Sequence, residues 1–228
     1  MKLDDVKQNY DALAKRYDFW TDIVFARLLG TDKLREHTVD LLGDIQGLTV
    51  LDIGCGTGRN FPYLVPRVGP RGKIVGVDYS EGMLEQARGR ARKHDADNIQ
   101  LIQGDAATLD GVPEPVDAVI SIWCLGIVHD LDSALHRAID VLRPGGRLAI
   151  MDFGQARPDS GPLRWLYPIY SRILERTGID SPEDLDDEKL RMKWKQGRAI
   201  LHGRLDNVRE ESYFSGGGFI LSGVRSDH

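Results

Sequence analysis

Leu48-Thr49-Val50-Leu51-Asp52-Ile53-Gly54-Cys55-Gly56-Thr57-Gly58 is the stretch that decides the fold. Its first six residues form a short apolar run, which suits a buried strand of a parallel sheet. The run ends in three glycines spaced two apart, Gly54, Gly56 and Gly58. They let the backbone turn tightly and approach a ligand closely. A helix opening behind such a turn offers free N–H groups and positive potential to an anionic group. The dinucleotide fingerprint GxGxxG sets its third glycine three after the second, and here Arg59 holds that place. The turn therefore departs from the nicotinamide pattern.

Downstream, strand-like and helix-like stretches alternate. Strands are predicted over 73–78, 99–103, 116–122 and 146–152, and helices over 80–93 and 131–142. Such βαβ alternation argues for a doubly wound α/β fold, a mostly parallel sheet with helices on both faces. Ser80 precedes Glu81 and can cap its helix. Pro144-Gly145-Gly146 is read as the turn from a helix ending at Leu142 into the next strand. In the tail, helical patterns around 163–176 and 182–198 precede two strands, 206–213 and 218–224. Ser215-Gly216-Gly217 between them is short enough for an antiparallel hairpin. Upstream, Val6, Tyr10, Leu13, Tyr17 and Trp20 keep helical spacing, and a second helical run covers 23–42. The expected division is a helical lid over 1–45 and a sheet domain over 46–228 with a helical insertion at about 155–200.

In an open parallel sheet, ligands bind beyond the carboxyl ends of the strands. The unusual residues sit there. Asp78 ends the second strand and can accept hydrogen bonds from both hydroxyls of a ribose, or else cap the helix at Ser80. Gly104-Asp105-Ala106 ends the third strand. Asp105 can accept from an adenine amine while the Ala106 N–H donates to a ring nitrogen; alone, the triplet reads as a turn.

Together these segments resemble class I S-adenosylmethionine-dependent methyltransferases. Val50 to Gly58 resembles their first motif, and Gly76-Val77-Asp78-Tyr79-Ser80-Glu81-Gly82-Met83-Leu84 their second. Gly104-Asp105-Ala106 resembles the adenine-binding motif, and Leu142-Arg143-Pro144-Gly145-Gly146-Arg147-Leu148 the motif before the fifth strand. The resemblance implies a seven-stranded Rossmann-like sheet with a reversed last hairpin and S-adenosyl-L-methionine as cofactor. By that likeness Asp52 and the loop of Gly54, Cys55, Gly56 and Gly58 hold the methionine end. Asp78 takes the ribose, Tyr79 and Met83 pack near the adenine, and Asp105 with Ala106 reads its edge.

Within the class, the chain is most similar to ubiquinone/menaquinone-biosynthesis C-methyltransferases and related small-molecule or lipid enzymes. Tyr10-Asp11-Ala12-Leu13-Ala14-Lys15-Arg16-Tyr17-Asp18 resembles their N-terminal segment, and Pro162 to Ser171 the segment after their fifth strand. Two places depart. Those enzymes tend to carry an Arg-Asn pair where this chain has Gly126-Ile127, and Ile122 stands where a polar residue faces their cofactor. Quinone C-methylation and phospholipid N-methylation thus both stay open.

Acceptor-side candidates are few. Tyr17 could bring its hydroxyl to the cofactor from the lid, or pack as a core aromatic. His129 could be a general base with Asp130 as its orienter, or the two could be a surface or capping pair. Trp123 at the strand end could wall the pocket, or simply be core. The acids Asp180, Glu183 and Asp184 and the bases Lys189, Arg191, Lys193 and Lys195 read as solvated faces, the basic strip also suiting anionic headgroups.

Composition bounds the rest. The 228 residues are 41 % hydrophobic and 29 % charged with a net charge of −5, ordinary for a globular chain and without a nucleic-acid binder's basic excess. The longest apolar stretch, 118–128, is too short to span a bilayer, and the N-terminus is polar and acidic, which suggests no signal peptide. Two cysteines, with no CxxC and no histidine cluster, suggest neither disulfides nor a metal site. The expectation is a cytoplasmic enzyme with at most peripheral membrane contact, a small-molecule or lipid-like acceptor, and an oligomeric state the sequence leaves open. The alternatives are a nicotinamide-dependent oxidoreductase and a non-catalytic regulatory protein that binds S-adenosylmethionine.

Overall fold

Thr49–Ile53 is strand β1, an interior strand of a seven-stranded sheet. The other strands are β2 (Lys73–Asp78), β3 (Ile99–Gln103), β4 (Val116–Ile122), β5 (Leu142–Phe153), β6 (Leu205–Tyr213) and β7 (Gly218–Arg225). The helices are α1 (Thr31–Asp40), α2 (Phe61–Val68), α3 (Glu81–Lys93), α4 (Leu131–Asp140) and α5 (Asp187–Arg204). The computed structural model describes residues 30–94, 96–155, 160 and 187–227. Residues 1–29 of the expected lid (1–45), with Tyr17, and the predicted helix around 163–176 lie outside the described residues.

The strand order is β3-β2-β1-β4-β5-β7-β6. The first five are parallel, and β7 pairs antiparallel with both β5 and β6. The fold is the expected doubly wound, mostly parallel sheet with a reversed last hairpin. Its order turns back between β1 and β4, so a crevice opens beyond the carboxyl ends of those strands.

The period-two alternation of the strands builds two cores. Leu51, Ile53, Val119 and Ile150 face one side and pack with Leu131 and Leu135 of α4 and Trp194 and Leu201 of α5. Val50, Ala118, Ile120 and Met151 face the other and pack with Val39 of α1, Phe61 and Leu64 of α2 and Leu84 of α3. Burial of these aliphatic side chains, at roughly 25 cal/mol per Å² of apolar surface, is the main term holding each helical layer to the sheet.

Several boundaries differ from the sequence reading: α1 covers Thr31–Asp40 of the run expected over 23–42, α5 runs on to Arg204 rather than 198, and the junction of α4 with β5 shifts. Helix α4 stops at Asp140, and β5 begins at Leu142 rather than Gly146. Leu142 already pairs with Val116, but the next partners are Ala118 and Arg147, so Pro144-Gly145-Gly146 is absorbed as an irregularity inside the strand. A Cβ on Gly146 would lie 2.8 Å from the Arg143 carbonyl oxygen and 3.0 Å from that of Asp117. Glycine is what permits the tight crossing. The Ser80 cap is formed as expected, its hydroxyl accepting from the Met83 N–H at 3.1 Å.

Candidate active site

A cavity of about 590 Å³ fills the crevice. Its floor is the glycine turn after β1. Gly54 and Cys55 both donate their N–H to the Val77 carbonyl, which draws the turn towards the end of β2. Asp78 completes the junction: one oxygen accepts from the Gly56 N–H at 2.8 Å and the other from the Ser80 N–H at 2.9 Å. Asp78 thus takes part of the capping role weighed for it, yet it also lines the cavity.

Gly54, Cys55, Gly56, Tyr79, Met83, Asp105, Ala106 and Ile122 all line the same space. Gly56 has φ +54°, and a Cβ built there would meet nothing within 4 Å among the described residues. The backbone is therefore bare towards a ligand. Asp105 accepts from the Ala107 N–H at 2.9 Å, a turn that presents Ala106 to the cavity. Gly58 is not on the cavity wall; at φ +80° it lies against the Phe61 ring.

Asp52 is also behind the wall, with no exposed surface. One oxygen accepts from the Asn60 side-chain amide at 2.8 Å, and the other has no hydrogen-bond partner among the described residues. Burial pushes its carboxyl up to about 7, against the opposing pull of the Asn60 hydrogen bond and the Arg35 charge. Arg35, only 6 % exposed, donates to Asn60 Oδ1 and lies 5.0 Å from the Trp123 ring centroid. Arg35 and Asn60, not Asp52, reach the cavity. The sequence reading missed both. The available signal was spacing: Arg35 falls on the buried stripe of α1 with Thr31, Thr38 and Val39.

The opposite end of the cavity is built by the chain after β4. Trp123, at φ +53°, breaks the strand, and a single 3₁₀ turn, Leu125–Ile127, follows. Trp123 donates its indole N–H to the Tyr213 hydroxyl at 2.8 Å, and that hydroxyl donates to the Asp152 carbonyl at 3.0 Å. Stacking on Phe153 at 6.1 Å completes its support. His129 lines the cavity as expected. Asp130 is not arranged as its orienter. Its two oxygens take the Ser133 N–H at 3.0 Å and the Ser133 hydroxyl at 2.7 Å, capping α4 and holding its carboxyl below the usual range. From the facing helix α5, Lys189, Leu190 and Lys193 close the wall.

This side of the cavity fits S-adenosyl-L-methionine: the acid Asp78 at the end of β2, a glycine turn with no side chain over Gly56 and, behind it, a buried Asp52 oxygen without a hydrogen-bond partner, both absences among the described residues. Among the described residues, no helix is long and apolar enough to cross a membrane.

Residues 45–183 match the family described as "Methyltransferase domain". The ubiquinone/menaquinone biosynthesis C-methyltransferase of Idiomarina loihiensis is 32 % identical over 180 residues, 78 % of this chain and 70 % of the relative. The demethylmenaquinone methyltransferase of Lactococcus lactis is 33 % identical over 170 residues, 75 % of this chain and 63 % of the relative. Among solved structures, a SAM-dependent methyltransferase from Aquifex aeolicus superposes with a TM-score of 0.63 at 23 % identity, covering 94 % of this chain and 98 % of that one. This last is a likeness of fold. None of these matches supports the nicotinamide or regulatory alternative.

Proposed function

The chain belongs to the S-adenosylmethionine-dependent methyltransferase family, and on that footing we propose that it methylates a ring carbon of a quinone-type acceptor in its reduced, hydroxylated form. One observation carries the reading: a single cavity runs from the acids Asp78 and Asp105 to an end where Val128, Leu131 and Leu190 stand with one imidazole, His129, and the bases Lys189 and Lys193. Relatives named for quinone biosynthesis agree with it.

S-adenosylmethionine, when bound, supplies a methyl group on a sulfonium that is already activated for in-line transfer. The residues need mainly to hold, align and dry the partners. On this reading Asp78 holds the ribose hydroxyls, and Asp105 with Ala106 reads the adenine edge. Gly54, Cys55 and Gly56 approach the methionine end, with Arg35 and Asn60 beside it and Asp52 ordering Asn60 from behind. Ile122, Val128, Leu131 and Leu190 offer the ring an apolar wall. A ring carbon becomes nucleophilic when the neighbouring hydroxyl gives up its proton. His129 is assigned to take that proton. Rearomatisation then breaks the ring C–H bond, its electron pair returns to the ring and its proton leaves to water. Tyr17 remains a second candidate at the donor end.

The test has two parts. Calorimetry should show S-adenosylhomocysteine binding. Labelled methyl should then pass to a short-chain demethylated menaquinol. Absent binding, the donor assignment fails; label appearing in phosphatidylethanolamine vesicles and not in the quinol would move the acceptor to phospholipid. His129→Ala should lower kcat by about 100-fold or more, with the S-adenosylhomocysteine Kd unchanged within about twofold.

A further inference from the structure

We propose that Lys193 is a positioning residue for the acceptor end: it clamps the loop after β4 in the one conformation that presents His129. The role given to His129 rests on the function proposed above; the clamp itself does not.

Both peptide units that flank Gly126 are gripped. Its N–H donates to Asp152 Oδ2 at 2.9 Å, and its carbonyl accepts from Lys193 Nζ at 2.8 Å. The same ammonium also donates to the carbonyl of Val128, the residue just before His129. Bonds from an ammonium to carbonyls and from an N–H to a carboxylate are the stronger, charge-assisted kind. The loop has little order of its own, being one 3₁₀ turn closed by Ile127 N–H to Cys124 O at 3.1 Å and Val128 N–H to Leu125 O at 3.2 Å. The jaws, in contrast, are fixed. Asp152 is the last residue but one of β5 and is 4 % exposed. Lys193 precedes Trp194, which is fully buried against the Phe219 ring at 4.7 Å.

Gly126 is shaped for this grip. A Cβ there would lie 2.9 Å from Asp152 Oδ1 and 3.5 Å from the Trp194 indole nitrogen. Any side chain would push the loop off one jaw. The clamp also crosses a long stretch of chain, so α5 sets the acceptor end while the strand-end acids set the donor end.

Lys193→Met should speed amide hydrogen exchange across 124–130 by tenfold or more. It should lower kcat/KM for the quinol by about ten- to a hundredfold, and leave the S-adenosylhomocysteine Kd within about twofold. Lys193→Arg, which keeps cationic donors, should recover part of both losses. In a His129→Ala background, Lys193→Met should cost little further, because the two act as one unit. Unchanged exchange in Lys193→Met would overturn the clamp whatever the acceptor proves to be. Fully additive losses with His129→Ala, or a parallel loss of S-adenosylhomocysteine affinity, would overturn its action through His129. Faster exchange in a protein that does not methylate the quinol would support the clamp and count against the quinone reading alone.

Discussion

Asp52 illustrates how a buried charge leaves a mark that can be measured. Its carboxyl is pushed up to about 7 and that of Asp152 to about 6, both mainly by burial, from an ordinary 3.8. The folded chain therefore binds these two protons more tightly than the unfolded chain does. Stability is greatest with both groups protonated and falls as pH rises from about 4 through 7. Urea unfolding should give a protein less stable at pH 8 than at pH 5.5, by on the order of a few kcal/mol. Asp52→Asn should flatten the upper part of that slope. Asp78 belongs to a different experiment. Asp78→Ala should weaken S-adenosylhomocysteine and 5′-methylthioadenosine alike, by about 10- to 100-fold, since both carry the ribose. An effect on only one of them would argue against the ribose assignment. Asp78 and Asp105 were legible because each ends an apolar run, where a charge has no packing reason to be. Arg35 was not, since α1 is far from the motifs in sequence and its contact with Asn60 exists only after folding.

At the scale of elements, the glycine turn depends on what lies above each glycine. Gly54 has φ +68°, and a Cβ there would fall 2.1 Å from Cys124 Sγ and 2.3 Å from Cys124 Cβ. Gly30 has nearly the same φ, +65°, with nothing within 4 Å among the described residues. Gly54→Ala should therefore cost well over about 2 kcal/mol, strain and overlap together, and Gly30→Ala only about 1 kcal/mol. Thermal melts of the two variants separate the contributions. Strands and the Ser80 cap were readable because their rules are local. The early start of β5 was not, because the Val116–Leu142 pair that defines it is made across the sheet. Likewise, no local pattern marks Lys193 as anything but one base in a charged helix; its role comes from the loop it reaches.

At the scale of the molecule, β7 lies between β5 and β6 although it follows both in the chain. Seven residue pairs from Arg147–Val224 to Phe153–Gly218 join it to β5. Ending the chain after Arg204 should expose the edge of β5 and abolish cooperative unfolding, with aggregation visible by light scattering. It would also remove Tyr213, which steadies Trp123. That arrangement bears on how the protein is made. The end of the cavity with Asp78 and Asp105 draws on β1 to β3, which leave the ribosome early, whereas the Tyr213 brace behind Trp123 arrives with the hairpin. A growing chain therefore has neither a covered β5 edge nor a braced Trp123 until the hairpin is made, and competence to react waits on the last strand of the sheet.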